Sequence, residues 1–262
     1  MLKEELLDTI TKLFSLKGRN ALITGGGAGL GAEMAFVLAG AGAHVTLVGR
    51  RQNKLDQSFE RIENIGGTVA TIVADLNDDI QFEEMLGTLR ENGREIDILI
   101  NGAGINKRKP AETLSLNEWD TTLRLNLTVP FRLARNLVST MQKKGWGRII
   151  NIASLQSIRA FPNSMAYGAS KGGITQLTRA MAEAWSRDGV CCNAIAPGLF
   201  PTELTQSIFQ NSQALAKMAE NTCCGRNAEL SDIWGLTLFL ASPSASFVTG
   251  QTIYLDGGYT AK

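Results

Sequence analysis

Histidine and cysteine are scarce in this chain, which has one histidine and four cysteines among 262 residues. The cysteines form two adjacent pairs, Cys191-Cys192 and Cys223-Cys224, and neighbouring cysteines rarely bridge each other because a disulfide strains the peptide between them. The Cys-x-x-Cys spacing of metal sites is absent, and His44 heads an apolar run, which is typical of a strand residue. The sequence therefore predicts reduced thiols and no bound metal.

The chain also lacks an excess of charge of either sign and lacks long apolar runs. Its 26 basic and 25 acidic residues give a net charge of +1, which indicates neither a nucleic-acid groove nor a membrane-binding face. No segment reaches the ~20 apolar residues of a membrane span. The opening MLKEELLDTITKLFSLKG carries acidic residues and is not typical of a signal peptide. We expect a soluble, cytoplasmic protein with no nucleic-acid or membrane partner.

Short apolar runs alternate with longer amphipathic stretches along the whole chain, a pattern typical of a parallel sheet covered by helices. We predict an α/β fold, a doubly wound Rossmann fold with about seven parallel strands and helices on both faces. The predicted strands cover residues 20–24, 44–48, 69–73, 97–101, 148–153, 190–196 and 251–255.

No linker, charge run or internal repeat divides the sequence, so we predict one domain over residues 1–262, with 1–16 as an N-terminal extension. A long helix is predicted over 164–187, with Ser164 as its N-cap and Gly189 just past its end. The apolar rhythm weakens over about 197–228, and this insertion is predicted to be a substrate lid.

Ser154, Tyr167 and Lys171 have a spacing that indicates catalysis. Residues four apart on a helix share one face, so Tyr167 and Lys171 point into the same space. A nearby ammonium lowers the pKa of a phenol from its usual ~10, which suits proton transfer to a substrate oxygen. Ser154 follows an apolar run and is placed to hydrogen-bond the same oxygen. The alternative is a buried tyrosine and a surface lysine on an ordinary helix.

A glycine-rich turn follows the first predicted strand and opens a helical segment. Residues 27–32 read GAGLGA and satisfy the variant dinucleotide-binding pattern, although the strict form does not fit. Glycines at such a turn let the backbone approach a pyrophosphate, which the amides of the helix N-terminus then hold. A purely structural turn is the alternative, but the position after the first strand favours cofactor binding.

Arg50 and Arg51 follow the second predicted strand, where a carboxylate would bind the ribose 2′-hydroxyl of NAD and an arginine would accommodate the 2′-phosphate of NADP. The sequence therefore favours NADP over NAD, with two solvated arginines as the alternative. Asp75 is suited either to an adenine-edge hydrogen bond or to a helix N-cap. Asn126 lies in an apolar helix and is either a satisfied core amide or a link in a proton path.

From Leu16 to Gly258 the chain resembles the short-chain dehydrogenase/reductase family. The family's TGxxxGxG motif matches residues 24–31, its PG motif matches 197–198, and its closing DGG matches 256–258. The NNAG motif appears as NGAG at 101–104, with Gly102 in place of the second asparagine. This departure is expected to soften the centre of the sheet without abolishing the site.

The resemblance implies a catalytic tetrad of Asn126, Ser154, Tyr167 and Lys171, and a hydride exchanged between a nicotinamide and a substrate carbon. It implies that Tyr167 is the acid/base, that Lys171 lowers its pKa and holds the ribose, and that Asn126 positions a water. It also implies a homotetramer built from packed helices and the segment 251–259. The implied cofactor-binding residues are Thr24, Gly25, Gly29, Leu30, Gly31, Arg50, Arg51, Asp75, Leu76, Asn101, Ala103, Gly104, Tyr167, Lys171, Pro197, Gly198, Phe200 and Thr202.

Within this family the loops after the fourth and fifth strands look most like gluconate 5-dehydrogenases and related sugar-acid oxidoreductases. The predicted substrate residues are Ser154, Gln156, Lys107, Arg108 and Arg159. Together with Asn106, the last four are expected to put polar and basic groups around the mouth of the pocket, which suits a carboxylated polyol. A solvated basic loop is the alternative for the residues at 107–109. Reduction of 3-oxoacyl thioesters or other ketones by the same tetrad remains open. A protein of another class, which senses NADP(H) without catalysis, is the third possibility.

Overall fold

Seven strands form the centre of the molecule, and each of their bounds lies within one residue of the sequence-based prediction. A computed structural model describes residues 2–262. The apolar, β-branched content of these runs favours buried strands. The strands are β1 (Asn20–Thr24), β2 (His44–Gly49), β3 (Thr68–Val73), β4 (Ile98–Asn101), β5 (Gly147–Ile152), β6 (Val190–Pro197) and β7 (Thr252–Leu255).

Ten α-helices lie within residues 2–262, and none of them is long and apolar enough to cross a membrane. A π-helical turn at Arg124–Thr128 joins the fifth helix to the sixth. The helices are α1 (Leu2–Phe14), α2 (Gly29–Gly40), α3 (Gln52–Glu63), α4 (Asp79–Glu91), α5 (Leu116–Leu123), α6 (Val129–Lys144), α7 (Met165–Trp185), α8 (Gln206–Phe209), α9 (Ser212–Glu220) and α10 (Ile233–Ala241).

All seven strands are parallel and follow the order β3-β2-β1-β4-β5-β6-β7, which confirms the predicted doubly wound fold. The strand order reverses between β1 and β4, where Thr24 pairs with Asn101. In sheets of this kind ligands bind beyond the carboxyl ends of the strands at the reversal.

Two apolar layers cover the sheet, one on each face. On β1, Ile23 packs into one layer and its neighbour Leu22 into the other, because successive side chains of a strand point to opposite faces. Leu47 and Val48 divide in the same way on β2. The predicted helices on both faces are therefore confirmed.

The long helix α7 runs as predicted, within two residues at each end. Ser164 occupies the N-cap position, but its side chain makes no capping bond, so that part of the prediction is wrong. Its hydroxyl instead accepts a hydrogen bond from Asn106 Nδ2 at 3.5 Å. At the other end a short 3₁₀ turn, Ser186–Asp188, leads into Gly189, whose φ of +81° ends the helix as expected.

Candidate active site

A cavity of about 570 Å³ opens at the carboxyl ends of the central strands. Segments that follow β1, β4, β5 and β6 line it, together with the first turns of α7. Of the predicted site residues, the lining includes Gly25, Gly29, Leu30, Gly31, Ala103, Gly104, Arg108, Ser154, Gln156, Tyr167, Lys171, Pro197, Gly198, Phe200 and Thr202. Outside the lining lie Thr24, Arg50, Arg51, Asp75, Leu76, Asn101, Lys107, Asn126 and Arg159.

The glycine turn after β1 leaves no room for side chains. A Cβ on Gly31 would lie 2.2 Å from the main-chain oxygen of Gly25, and Gly25 and Gly29 have φ angles of +71° and +53°. Ala28 stands at the N-cap of α2 and provides no side-chain oxygen for the amides of the first turn. Those amides face a bare concavity, which is the arrangement that holds phosphate groups.

Thr24 joins the glycine turn to the end of β4. Its hydroxyl accepts hydrogen bonds from the amides of Gly102 and Ala103, both at 3.1 Å. A Cβ on Gly102 would lie 2.7 Å from the Thr24 main-chain oxygen, so a glycine suits this close approach. Thr24 is 1 % exposed, lies outside the cavity lining, and fixes the backbone of Gly102 and Ala103, which line the cavity.

The centre of the sheet is held by side-chain amides. Asn101 Nδ2 donates to Asn151 Oδ1 at 2.8 Å, and Asn151 Nδ2 donates to Thr178 Oγ1 at 2.9 Å. This chain of bonds links β4, β5 and α7 in the absence of an asparagine at position 102. The softening of the sheet centre that we expect from Gly102 stays a prediction. These two hydrogen bonds act against it.

Tyr167 and Lys171 lie on the face of α7 that lines the cavity, as their spacing predicts. Lys171 Nζ donates to the main-chain oxygen of Ile152 at 2.5 Å and lies 5.5 Å from the centroid of the Tyr167 ring. Burial lowers the pKa of Lys171 to about 8, since a buried ammonium loses its hydration. The lysine is thus fixed between β5 and the tyrosine ring.

The pKa of the Tyr167 phenol is raised by burial, while a hydrogen bond with Ser154 and the charge of Arg108 act in the opposite direction. Lys171 is not among the groups that lower the pKa of this phenol. The expectation that Lys171 lowers the pKa of Tyr167 is therefore wrong: burial raises this pKa overall, and the groups that oppose the rise are Ser154 and Arg108.

Ser154 is positioned by the short 3₁₀ turn Leu155–Ser157 that follows β5. Its hydroxyl accepts a hydrogen bond from the Gln156 amide at 3.2 Å. Ser157 Oγ donates to the main-chain oxygen of Lys171 at 2.6 Å and so ties this turn to α7. The turn and the helix therefore present Ser154 and Tyr167 to the same space.

Asn126 lies in the π-helical turn and is 1 % exposed. Its Oδ1 accepts a hydrogen bond from the Ile105 main-chain amide at 2.9 Å. Its Nδ2 donates to the Ile105 main-chain oxygen at 2.9 Å and to Ser170 Oγ at 3.0 Å. A Cβ on Gly104 would lie 3.2 Å from Asn126 Oδ1 and 3.8 Å from Lys171 Nζ. Asn126 is a satisfied core amide in these contacts, and its part in a proton path stays a prediction.

The residues predicted for the 2′-phosphate form ion pairs at the surface. Arg50 Nη1 lies 3.4 Å from Asp75 Oδ2, and Arg51 Nη2 lies 2.7 Å from Glu203 Oε2. Asp75 Oδ1 accepts a bond from the Asn77 amide, whereas Asp78 caps α4. The helix-cap alternative for Asp75 is therefore wrong. Leu76, which was also predicted to bind the cofactor, is 3 % exposed and lies outside the cavity lining.

The segment after β6 closes one side of the cavity. A Cβ on Gly29 would lie 3.2 Å from Thr202 Cγ2, so this segment touches the glycine turn. Leu204, Ile208 and Met218 add apolar surface to the lining and fall within the predicted lid. Sequence reasoning named the segment but not these three side chains, because its short helices carry no clear apolar period.

The basic residues predicted for the substrate separate in the structure. Lys107 and Arg108 are both exposed, and only Arg108 lines the cavity. Arg159 Nη2 donates to the main-chain oxygen of Lys262 at 2.9 Å, and its guanidinium lies 5.9 Å from the Tyr259 ring centroid. The structure thus places Arg108 in the lining of the cavity and Arg159 against the C-terminal residues Tyr259 and Lys262.

The described part of the chain, residues 2–262, holds no group of three or more His, Cys, Asp or Glu side chains able to bind a metal. All four cysteines are free thiols: Cys191 and Cys192 are buried, and Cys223 and Cys224 are exposed.

Comparisons with known proteins agree with this geometry. A family model described as enoyl-(acyl carrier protein) reductase matches residues 25–260. Gluconate 5-dehydrogenase of Gluconobacter oxydans (strain 621H) is 37% identical over 95% of this chain and 97% of that protein. The crystal structure of a gluconate 5-dehydrogenase from Burkholderia cenocepacia J2315, in complex with NADP and tartrate, superposes with a TM-score of 0.90 at 35% identity, over 97% of this chain and 99% of that one. A 3-oxoacyl (acyl-carrier-protein) reductase from Agrobacterium tumefaciens C58 with NADP bound has a TM-score of 0.89 at 31% identity, over 95% and 97%.

Proposed function

Because the chain belongs to the short-chain dehydrogenase/reductase family, we propose that it interconverts a secondary alcohol and a ketone on a sugar acid or polyol with NADP(H). The observation that carries this proposal is the position of Ser154, Tyr167 and Lys171 in the wall of a cavity whose other end is the glycine turn. A cofactor laid along the cavity from that turn would bring its reactive ring to these three side chains.

The residues present fit NADP(H). The amides at the start of α2 have no side-chain cap and suit the pyrophosphate, and the glycine at position 31 allows the first turn of α2 to pack against the backbone of Gly25. Arg50 and Arg51 stand at the end of β2 and supply the positive charge that a 2′-phosphate requires. Relatives with NADP bound support the same cofactor.

The nicotinamide supplies the hydride when it is bound, and the chain supplies binding, orientation and proton transfer. Tyr167 holds the proton that passes to the substrate oxygen on reduction and returns on oxidation. Ser154, already hydrogen-bonded to the phenol, orients that oxygen. Lys171 is fixed by Ile152 and presents its ammonium beside the ring, where it suits a ribose hydroxyl.

Arg108 supports a carboxylated substrate. It lines the cavity, and its charge acts on the Tyr167 phenol, so the guanidinium lies near the reacting end. No ion-pair partner competes for it among residues 2–262, whereas its neighbour Lys109 pairs with Glu118 at 2.6 Å. A guanidinium binds a carboxylate through two parallel hydrogen bonds.

We expect Arg108→Met to raise KM for D-gluconate about tenfold, because a hydrogen bond between charged groups contributes ~1.5–3 kcal/mol and less where water competes. Lys107→Met is the matched control, since it removes the adjacent charge outside the cavity lining. The measurement is NADPH absorbance during steady-state turnover of D-gluconate and of an uncharged polyol. The uncharged substrate is expected to change less than twofold in either variant.

Equal losses on both substrates would contradict the carboxylate role of Arg108. Turnover of 3-oxoacyl thioesters but of no sugar acid or polyol by the wild type would replace the proposed substrate class with the acyl class of the family model. NADP binding without turnover on any of these panels would favour the non-catalytic alternative.

We further propose that the protein is a homotetramer, as the family resemblance implies. Apolar side chains are left exposed on α1, where Leu6 is 59 % exposed, and Phe247 beside β7 is fully exposed. Surfaces of this kind are typically covered by another chain. The small residues of α7 support this less, because a Cβ on Gly173 would lie 2.9 Å from Leu127 of the same chain. Light scattering at micromolar concentration is expected to give four times the mass of the chain, and a monomer would contradict the proposal.

A further inference from the structure

Residues 259–262 connect two segments that both line the cavity, the one after β6 and the loop after β5. Lys262 Nζ donates to the main-chain oxygens of Glu220 and Thr222 at 2.8 and 2.9 Å. The main-chain oxygen of Lys262 accepts a hydrogen bond from Arg159 Nη2 at 2.9 Å. A single residue therefore contacts both segments, one through its side chain and the other through its backbone.

The contacts of the Lys262 ammonium fall at the C-terminal end of α9, whose last residue is Glu220. The last carbonyls of a helix have no partner within the helix. A cation that accepts this position bonds them and also interacts favourably with the negative end of the helix dipole. Because α9 carries Met218, which lines the cavity, Lys262 holds a helix that forms part of the cavity wall.

The other end of the connection reaches the loop that follows Ser154. Arg159 lies in this loop, and its guanidinium is 5.9 Å from the centroid of the Tyr259 ring. The Tyr259 ring stacks on Phe161 with centroids 6.4 Å apart and an interplanar angle of 27°. Phe161 lines the cavity, so residues 259–262 are anchored to a second part of its wall.

The turn between these two anchors is held by its own hydrogen bonds. The Asp256 carboxylate accepts from the Gly258 amide at 2.9 Å and from the amide and hydroxyl of Thr260 at 3.0 and 2.7 Å. Gly258 has a φ of +80°, and a Cβ there would lie 2.7 Å from Cys223 Cβ, so the turn packs directly on the chain that follows α9. A turn braced in this way transmits a restraint from one anchor to the other.

We propose that residues 256–262 form a strap between the predicted lid and the loop after β5. In this strap Lys262 and Arg159 are positioning residues, which hold Met218 and Phe161 at the cavity. The strap thereby gives Arg159 a role different from the substrate contact predicted from the sequence. Its restraint on the lid depends on these contacts alone, whereas its effect on turnover rests on the proposed function.

The test measures hydrogen–deuterium exchange of the α9 amides, with and without NADPH. Lys262→Met and Arg159→Met each remove one anchor, and a double variant removes both. Lys262→Arg keeps a cation that can donate to two main-chain oxygens. Lys217→Met is the matched control, because it removes an exposed ammonium from the last turn of α9 that has no hydrogen-bond or ion-pair partner within residues 2–262.

We expect each single variant to exchange its α9 amides about fivefold faster, because a charge-assisted hydrogen bond, weakened here by water, restrains local opening. The double variant should show less than the product of the two single effects, since the anchors act through one turn. Lys262→Arg and Lys217→Met should exchange at the wild-type rate.

The same variants are expected to change the kinetics through the lid. KM for D-gluconate and for an uncharged polyol should rise alike, about threefold, while kcat is maintained, because a looser lid holds any substrate less well without altering the reacting groups. Light scattering accompanies these measurements, since the segment 251–259 is also implied in assembly.

Unchanged α9 exchange in both single variants would overturn the strap, as would equally fast exchange in Lys217→Met, which would indicate a general charge effect. A rise in KM confined to the charged substrate in Arg159→Met would return Arg159 to the substrate site and overturn its positioning role. A lower mass in solution without faster exchange would assign these residues to a subunit interface instead. Faster exchange in a protein that turns over neither substrate would support the strap and contradict the proposed function.

Discussion

Replacement of Tyr167 by phenylalanine is expected to lower turnover at least ~10³-fold while NADP(H) still binds, because only the proton donor is lost. The phenylalanine ring keeps the contact with Lys171, whose ammonium lies 5.5 Å from the ring centroid. Ser154 keeps the hydrogen bond that it accepts from Gln156. The site would thus retain its shape and its cofactor cradle. Stopped-flow absorbance for turnover and fluorescence titration for NADPH binding would measure the two effects separately.

Tyr254→Phe is the matched control for this experiment. Tyr254 lies on β7, outside the lining of the cavity, and burial raises the pKa of its phenol as it does for Tyr167. Its hydroxyl can be removed with no expected change in turnover. Near-normal turnover of the Tyr167 variant would sink the assigned mechanism, and a parallel loss in both variants would indicate a general effect of phenol removal on the fold.

Arg50→Asp is expected to shift the preference between NADP and NAD by ~10²-fold toward NAD. Loss of a charge-assisted hydrogen bond accounts for about 1.5–3 kcal/mol, and the new carboxylate adds repulsion toward the 2′-phosphate. Asp75, which lies 3.4 Å from Arg50 Nη1, would then stand beside a second acid and strengthen that repulsion. The measured quantity is the ratio of kcat/KM for the two cofactors.

Arg187→Asp makes the same charge change on the exposed 3₁₀ turn after α7 and should leave the cofactor ratio unchanged. If the wild type used NADP and NAD equally, both arginines would be surface charges and the NADP preference proposed here would be wrong. A similar shift in the Arg187 variant would point to long-range electrostatics rather than to a contact.

The sheet and the shared helix face of Tyr167 and Lys171 were predictable because they follow from local sequence. Each strand is a short apolar run bounded by polar or glycine residues, and its side chains alternate between two layers in a way that only a doubly covered sheet allows. Tyr167 and Lys171 share a helix face by spacing alone. The glycine turn was predictable because residues 27–32 directly follow an apolar run and open a helical segment, and the 2.2 Å approach of a Cβ on Gly31 to the Gly25 oxygen explains why glycine is needed there.

Contacts between distant segments could not be derived in this way. Arg51 and Glu203 meet across 152 positions, and Arg159 reaches Lys262 across 103. Nothing in either local sequence indicates these partners. The pKa of Tyr167 was misjudged for a similar reason: burial and the charge of Arg108 depend on how loops pack over the helix.

The ion pair between Arg51 and Glu203 would link the binding of an anion at Arg51 thermodynamically to the position of the segment after β6. Arg51 follows β2, Glu203 lies in the segment after β6, and their side chains meet at 2.7 Å. An anion that binds Arg51 in place of Glu203 breaks this ion pair, and by reciprocity a displacement of the segment that carries Glu203 would leave Arg51 available to the anion. An exposed pair contributes about 0.2–1 kcal/mol, so each event would alter the equilibrium of the other by a factor of roughly 1.4–5. That factor is therefore the largest effect that a dinucleotide bound at Arg51 can have, through this one ion pair, on the position of the segment that lines the cavity after β6.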